Sequence, residues 1–181
     1  GYVDWLRANV GDIITRIDVP TRAEDTCLDL AELSADLRAR PHRRRKYGEE
    51  AIEAPDYKEM PTRLARQNIR LATCLAVVLN KSLVDSDVLR IVRKVALDTA
   101  AGNTLNIVQW MCAANPRAGG RTYQESGGIT EGLLSVWTGM SSERLTNYLV
   151  FLRKIGVLLM RKAPQMGSSW QLTDRVYELY L

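Results

Sequence analysis

The sequence has little of what catalytic and metal-binding constellations are made from. Its 181 residues include one histidine, His42, and three cysteines, Cys27, Cys74 and Cys112, far apart along the chain. A single histidine in a basic segment cannot assemble a His-based nucleophile or a metal site, so no metal ligands are expected. Three dispersed cysteines in apolar, helix-like contexts argue for reduced thiols in an intracellular, cytoplasmic setting and against a disulfide framework. A phosphate-cradling Gly-x-x-x-x-Gly-Lys-Ser/Thr loop is absent, as is any Gly-x-Gly-x-x-Gly fingerprint. No carboxylates are paired in an apolar setting that would push their pKa values apart. No apolar run approaches the ~20 residues a membrane helix needs, and no signal peptide opens the chain. The chain is therefore not expected to be an enzyme by itself, to hold a cofactor of its own or to engage a membrane. It opens on Gly1 rather than Met, which points to a C-terminal piece of something larger.

What is present reads as an ordinary globular protein, with 46% apolar and 25% charged residues. The net charge of +4 is unevenly spread. Residues 1–37 hold eight acids against three bases, and residues 38–46 add six bases and no acid. Residues 47–102 balance at eight and eight, and residues 103–181 carry eight bases against five acids. A basic C-terminal part after a neutral one fits contact with a polyanion. The run Arg38 to Lys46 could grip a phosphate backbone or be a solvated loop opposite the acidic first helices.

Apolar spacing of three and four predicts helices up to Asn115. The first carries Val3, Leu6, Val10, Ile13 and Ile14. A second follows Pro20, with Thr21 and Glu24 at capping-box spacing and Cys27, Leu30, Leu33 and Leu37 on one stripe. Pro41 to Pro61, nearly devoid of aliphatics, reads as an exposed loop. From Thr62 a wide apolar arc (Leu64, Ile69, Ala72, Leu75, Ala76, Val78, Leu79) predicts a helix buried in a bundle. Asp85 caps the next, whose Val88, Ile91, Val92, Val95 and Ala96 face inward. A further helix runs from Asn103 to Ala113.

After a turn-rich break the pattern changes. A short helix from Ile129 carries Leu133, Leu134 and Trp137, and Thr138 to Ser141 is a tight turn in which Gly139 permits a left-handed conformation. Ser141 or Ser142 caps a helix with Leu145, Tyr148, Leu149 and Leu152 inward, and Gly156 ends it. Val157–Lys162 and Ser169–Thr173 read as strands, and Asp174 caps a terminal helix. Helix, turn, helix, strand, loop, strand is the winged helix-turn-helix order. The expected fold is thus mainly α, a helical bundle over residues 1–102 followed by a winged helix-turn-helix with a small β-hairpin over residues 103–181. DNA is the expected partner. Ser141 and Ser142 suit phosphates at a helix start, Arg144 and Asn147 can reach base edges or phosphates, and Arg161, Lys162 and Gln165 suit backbone contact from the wing. Glu143 opposes this use. A stand-alone transcriptional regulator, or an adaptor that docks proteins on the wing, fits the same order.

The stretch Pro61-Thr-Arg-Leu-Ala-Arg-Gln-Asn-Ile-Arg-Leu-Ala72, with Val84-Asp-Ser-Asp-Val88, resembles the helical lid of minichromosome-maintenance-type AAA+ helicases, over about residues 25–100. Phage and mobile-element helicases with related lids match equally well. The resemblance implies a replicative helicase or replication initiator that assembles as a ring and hydrolyses ATP with Mg in the full-length protein. Arg63 matches the family's sensor arginine, the one catalytic residue the resemblance implies here, and Arg70 its second arginine, for which a structural role is the simpler reading. The family's acidic residue is replaced by Arg66, so a local salt bridge is missing.

Overall fold

The structure, a computed structural model, describes residues 1–46, 49–53, 60–113, 128–163 and 167–180. It is mainly helical, with a small three-stranded antiparallel sheet and a separate hairpin. None of the described helices is long and apolar enough to cross a membrane. The chain divides into two compact units, one of Gly1–Ala35 with Met60–Thr99 and the other of Asp36–Glu59 with Ala100–Leu181.

The first unit is built from α1 (Tyr2–Thr15), most of α2 (Thr21–Arg38), α3 (Pro61–Val78) and α4 (Ser86–Asp98). Its core is made largely of small side chains. Ala23, Cys27 and Leu30 of α2 meet Ala72 and Ala76 of α3 and Val88, Val92 and Ala96 of α4. Small residues let helix axes approach closely, which brings polar groups within reach across the interface. Asn68 is buried and donates to the Cys27 carbonyl at 3.1 Å, and Ser34 donates to the Ala96 carbonyl at 3.2 Å. Thr21 does not cap α2: it is the first helical residue, and the Pro20 carbonyl receives the N–H groups of Ala23 and Glu24. Val3, Val78 and Val95, expected to face inward, are exposed. Val3 and Val78 lie in terminal turns, whereas Val95 stands at the edge of the Val88, Val92 and Ala96 stripe that α4 buries.

The link between α3 and α4 is tightly specified. Asn80 adopts a positive φ of 53°, Lys81 N–H donates to the Ala76 carbonyl and Asn80 N–H to that of Val77, the pattern of a Schellman stop. The Lys81 ammonium then bonds to Asp85 and, at 3.0 Å, to Asp87. Asp85 caps α4, accepting from the N–H groups of Asp87 and Val88 at 3.1 Å each. Asp18, between α1 and α2, pairs with this link through Ser82 and Val84 at 2.9 Å each.

The second unit holds β1 (His42–Lys46), β2 (Glu49–Glu53), α5 (Asn103–Ala113), β3 (Ile129–Thr130), α6 (Glu131–Thr138), α7 (Ser142–Lys154), β4 (Leu158–Ala163), β5 (Gly167–Leu172) and α8 (Asp174–Tyr180). The hairpin of β1 and β2 overturns the expectation of a loop over Pro41 to Pro61. Its register sets His42 opposite Glu53, Arg45 opposite Glu50 and Lys46 opposite Glu49. Opposite charges in register favour pairing, and strands as polar as these carry no apolar alternation to reveal them. The sheet has the order β3-β5-β4, with Ile129 and Met160 both opposite Trp170. Two residues are too few to show a period of two, so β3 was read as the start of a helix. The core collects Ile107, Val108 and Met111 of α5, Leu134 of α6, Leu145, Leu149, Phe151 and Leu152 of α7, and Leu158, Trp170 and Leu172 of the sheet.

The three cysteines are free thiols. Burial pushes Cys27 up to about 11, with Glu24 adding to it, and burial pushes Cys112 up to about 12. Asp85 is held below its ordinary value, chiefly by its hydrogen bond from Lys81 and then by the Val88 N–H. A lowered folded value stabilises the fold fully above the unfolded carboxylate value and is lost as pH falls through the folded one. Below about pH 4 the melting temperature of the wild-type chain should therefore fall more steeply than that of Asp85→Asn, which keeps a capping side chain without the charge. Parallel curves would contradict this role for Asp85.

Candidate nucleic-acid interface

The presented surface of the second unit follows from how α7 is held. α6 starts at its cap Thr130, whose hydroxyl accepts from Leu133 N–H, and stops at Gly139 with φ of 66°. Two residues later Ser141 opens α7 as its N-cap, without a side-chain cap bond. At the far end Gly156 takes φ of 78°, its N–H donates to the Arg153 carbonyl at 3.1 Å, and Val157 N–H donates to that of Leu152 at 2.9 Å. This Schellman stop turns the chain directly into β4. Asn103 of α5 donates to the Tyr148 hydroxyl at 3.0 Å and fixes the middle of α7 from the side.

With Leu145, Leu149, Phe151 and Leu152 buried, an advance of about 100° per residue leaves Ser142, Glu143, Thr146, Asn147, Val150, Arg153 and Lys154 on the outward arc. Ser142, Glu143, Arg153 and Lys154 are exposed, whereas Thr146, Asn147 and Val150 are half-buried. Arg144 is exposed but sits about 200° round the helix from Ser142, so it flanks this face instead of lying on it. Arg161 of β4 is exposed, and its carbonyl accepts from Ser169 at 3.4 Å. Lys162 pairs in register with Ser168. The Lys162 side chain and the whole of Gln165 lie outside the described residues. Ser141, Ser142 and Arg144 thus stand in the first turn of α7, Asn147 stands at its middle, and Arg161 lies on β4.

One residue was missed by sequence reasoning. Glu131, the first residue of α6, accepts from Ser142 at 3.3 Å and from Thr146 with the same Oε1. Its carboxylate therefore occupies the hydroxyl expected to meet a phosphate. The signal was Glu131 standing eleven residues before Ser142, and only the turn geometry brings them together. Across the surface, four cations (Arg144, Arg153, Lys154 and Arg161) stand against two carboxylates (Glu131 and Glu143).

The first unit carries a second cationic feature. Arg63, Arg66 and Arg70 of α3 are all exposed, and α3 contains no acidic residue. Among the described residues no hydrogen bond or ion pair engages these three side chains. Like charges three or four residues apart on a helix cost about 0.2–0.5 kcal/mol per pair. Among the described residues no group of three or more His, Cys, Asp or Glu could hold a metal ion.

If the start of α7 meets phosphates, removing the Glu131 charge should help. A unit charge near a phosphate is worth about 1 kcal/mol in a water-like dielectric, so Glu131→Gln should bind duplex DNA about five-fold more tightly at low salt. Unchanged or weaker binding would exclude phosphates from this helix end. No family model, curated protein or solved structure matches the chain, so the function of this surface must be read from its own residues.

Proposed function

We propose that the second unit is a winged helix-turn-helix that binds duplex DNA through α7, and that the chain is the DNA-contacting C-terminal region of an AAA+ replicative helicase or replication initiator. The observation that carries the first half is one arrangement. α5, β3, α6, a tight turn, α7, β4 and β5 follow in order, with β3 pairing on β5 beside β4. In a winged helix-turn-helix of that order α7 would be the recognition helix, whose first residues would meet base edges or phosphates in a major groove. Ser142 and Asn147 suit that use, Arg144 reaches a neighbouring phosphate, and Arg161 and Lys162 on β4 meet the backbone from the wing.

The second half rests on the lid-like sequence of α3 and α4. Arg63 stands exposed in the first turn of α3, free to meet the phosphates of ATP bound mainly by another part of the assembled ring. ATP and Mg would supply the phosphoryl group and its neutralisation, and Arg63 would stabilise charge on the transferring phosphate. The protein would act inside the cell as a self-associated ring on DNA.

A protein-docking adaptor is the second reading, and one feature favours it. Leu133 and Val136 on α6 are 49% and 77% exposed, next to the stacked pair Trp110 and Trp137 with centroids 6.1 Å apart.

Duplex binding measured against salt separates the two. Each phosphate contact contributes a slope of about −0.9 in log K against log salt, so Arg144→Ala with Lys162→Ala should flatten the slope by about 1.8. No binding at low salt, or an unchanged slope, would contradict the DNA surface and leave the adaptor reading. For the lid, Arg63→Ala should lower ATP turnover of the whole protein about a hundred-fold; wild-type turnover would end the sensor role.

A further inference from the structure

The exposed face of α3 is a second feature that the α7 surface does not explain. Arg63, Arg66 and Arg70 fall within about 60° of one another around the helix and span about 10 Å along its axis. Gln67 and Cys74 complete the same exposed face. No acid lies anywhere in α3, and no ion pair or hydrogen bond engages the three guanidinium groups among the described residues. Elsewhere in this unit Lys81 sits between Asp85 and Asp87 and bonds to both. A helix that lines up three cations without a counter-charge works against its own stability, and such local conflicts mark surfaces kept for something else.

We infer that this face of α3 binds the phosphate backbone of DNA, as a sequence-independent contact separate from α7. The complementarity is one of charge and spacing. Consecutive phosphates of one strand advance about 3.4 Å along a duplex axis, so a row about 10 Å long faces three or four of them. Guanidinium groups present planar donor pairs that match phosphate oxygens, which suits them to this use better than point charges. The inference rests on the proposed DNA reading only for the identity of the polyanion; it uses neither α7 nor the sheet. Arg63 can serve the row or a nucleotide, so the test leaves it in place.

The test is duplex binding by the full chain, as a function of salt, for wild type, Arg66→Gln with Arg70→Gln, and Arg144→Ala. Two phosphate contacts carry a slope of about 1.8, so raising salt four-fold should weaken the double variant about ten-fold less than wild type. Its melting temperature should equal or exceed the wild-type value, because like charges have been removed; a lower one with lost binding would count as misfolding and overturn the inference. Cys74 supplies the second measurement, being exposed while Cys27 and Cys112 are buried. A photocrosslinker attached to Cys74 should capture DNA in the wild type and lose most of that capture in the double variant. An unchanged salt slope, or no crosslink from Cys74, overturns the inference. If only Arg144→Ala weakens binding, α7 stands and the α3 face falls. If only the double variant does, the reverse holds. A wild-type chain that binds no duplex at low salt ends both.

Discussion

The commitment of Leu145, Leu149, Phe151 and Leu152 to the core of the second unit decides everything else about its surface. Those four side chains fix the roll of α7, and fixing the roll fixes which polar groups face out. Burying a side chain of this size is worth about 1.5–3 kcal/mol, so no weak ionic preference of the outward residues can turn the helix. The roll is held at both ends by backbone. Gly139 and Gly156 carry the left-handed turns that start the approach to α7 and end it, and the Tyr148 hydroxyl takes a hydrogen bond from α5 in between. Function on this face is what remains after packing has chosen.

Packing has left a surface of mixed sign. Glu131 sits against Ser142 and Thr146 at the start of α7, and Glu143 stands on the same face, while Arg144 flanks that end and Arg153, Lys154 and Arg161 lie towards the far end and on β4. On the proposed DNA reading, these carboxylates would oppose phosphates where the helix end would draw them in. The first unit divides its charge differently. Its α3–α4 link closes a compact ion cluster around Lys81, whereas the α3 arginines have no ion pair among the described residues.

Much of this was legible in the sequence where one physical rule dominated. The cap at Asp85, the turn at Gly139 and the stop at Gly156 all follow from local chemistry, and each is found where the residues place it. The failures come where the deciding partner is distant. β3 is two residues long and exists only because β5 pairs with it. The β1–β2 hairpin is built from polar, charged sequence that resembles a loop until the register is known. Phe151 lies outside the three-and-four spacing of the other buried residues of α7. At the candidate site the residue types were readable, but the contact of Glu131 with Ser142 and the offset of Arg144 required the fold. Val78 is exposed because periodicity does not say where a core stops, and Val95 because it does not say how wide the buried stripe is.

The central claim is that the outward arc of α7, with β4 beside it, meets DNA. Backbone amide shifts of the chain, followed as a short duplex is added, address it residue by residue. The account predicts that within the second unit the largest changes fall on Ser141 to Lys154 and on β4 around Arg161, and that they fade as salt is raised. Changes centred instead on Leu133 and Val136 of α6, or none in the second unit at all, would contradict it.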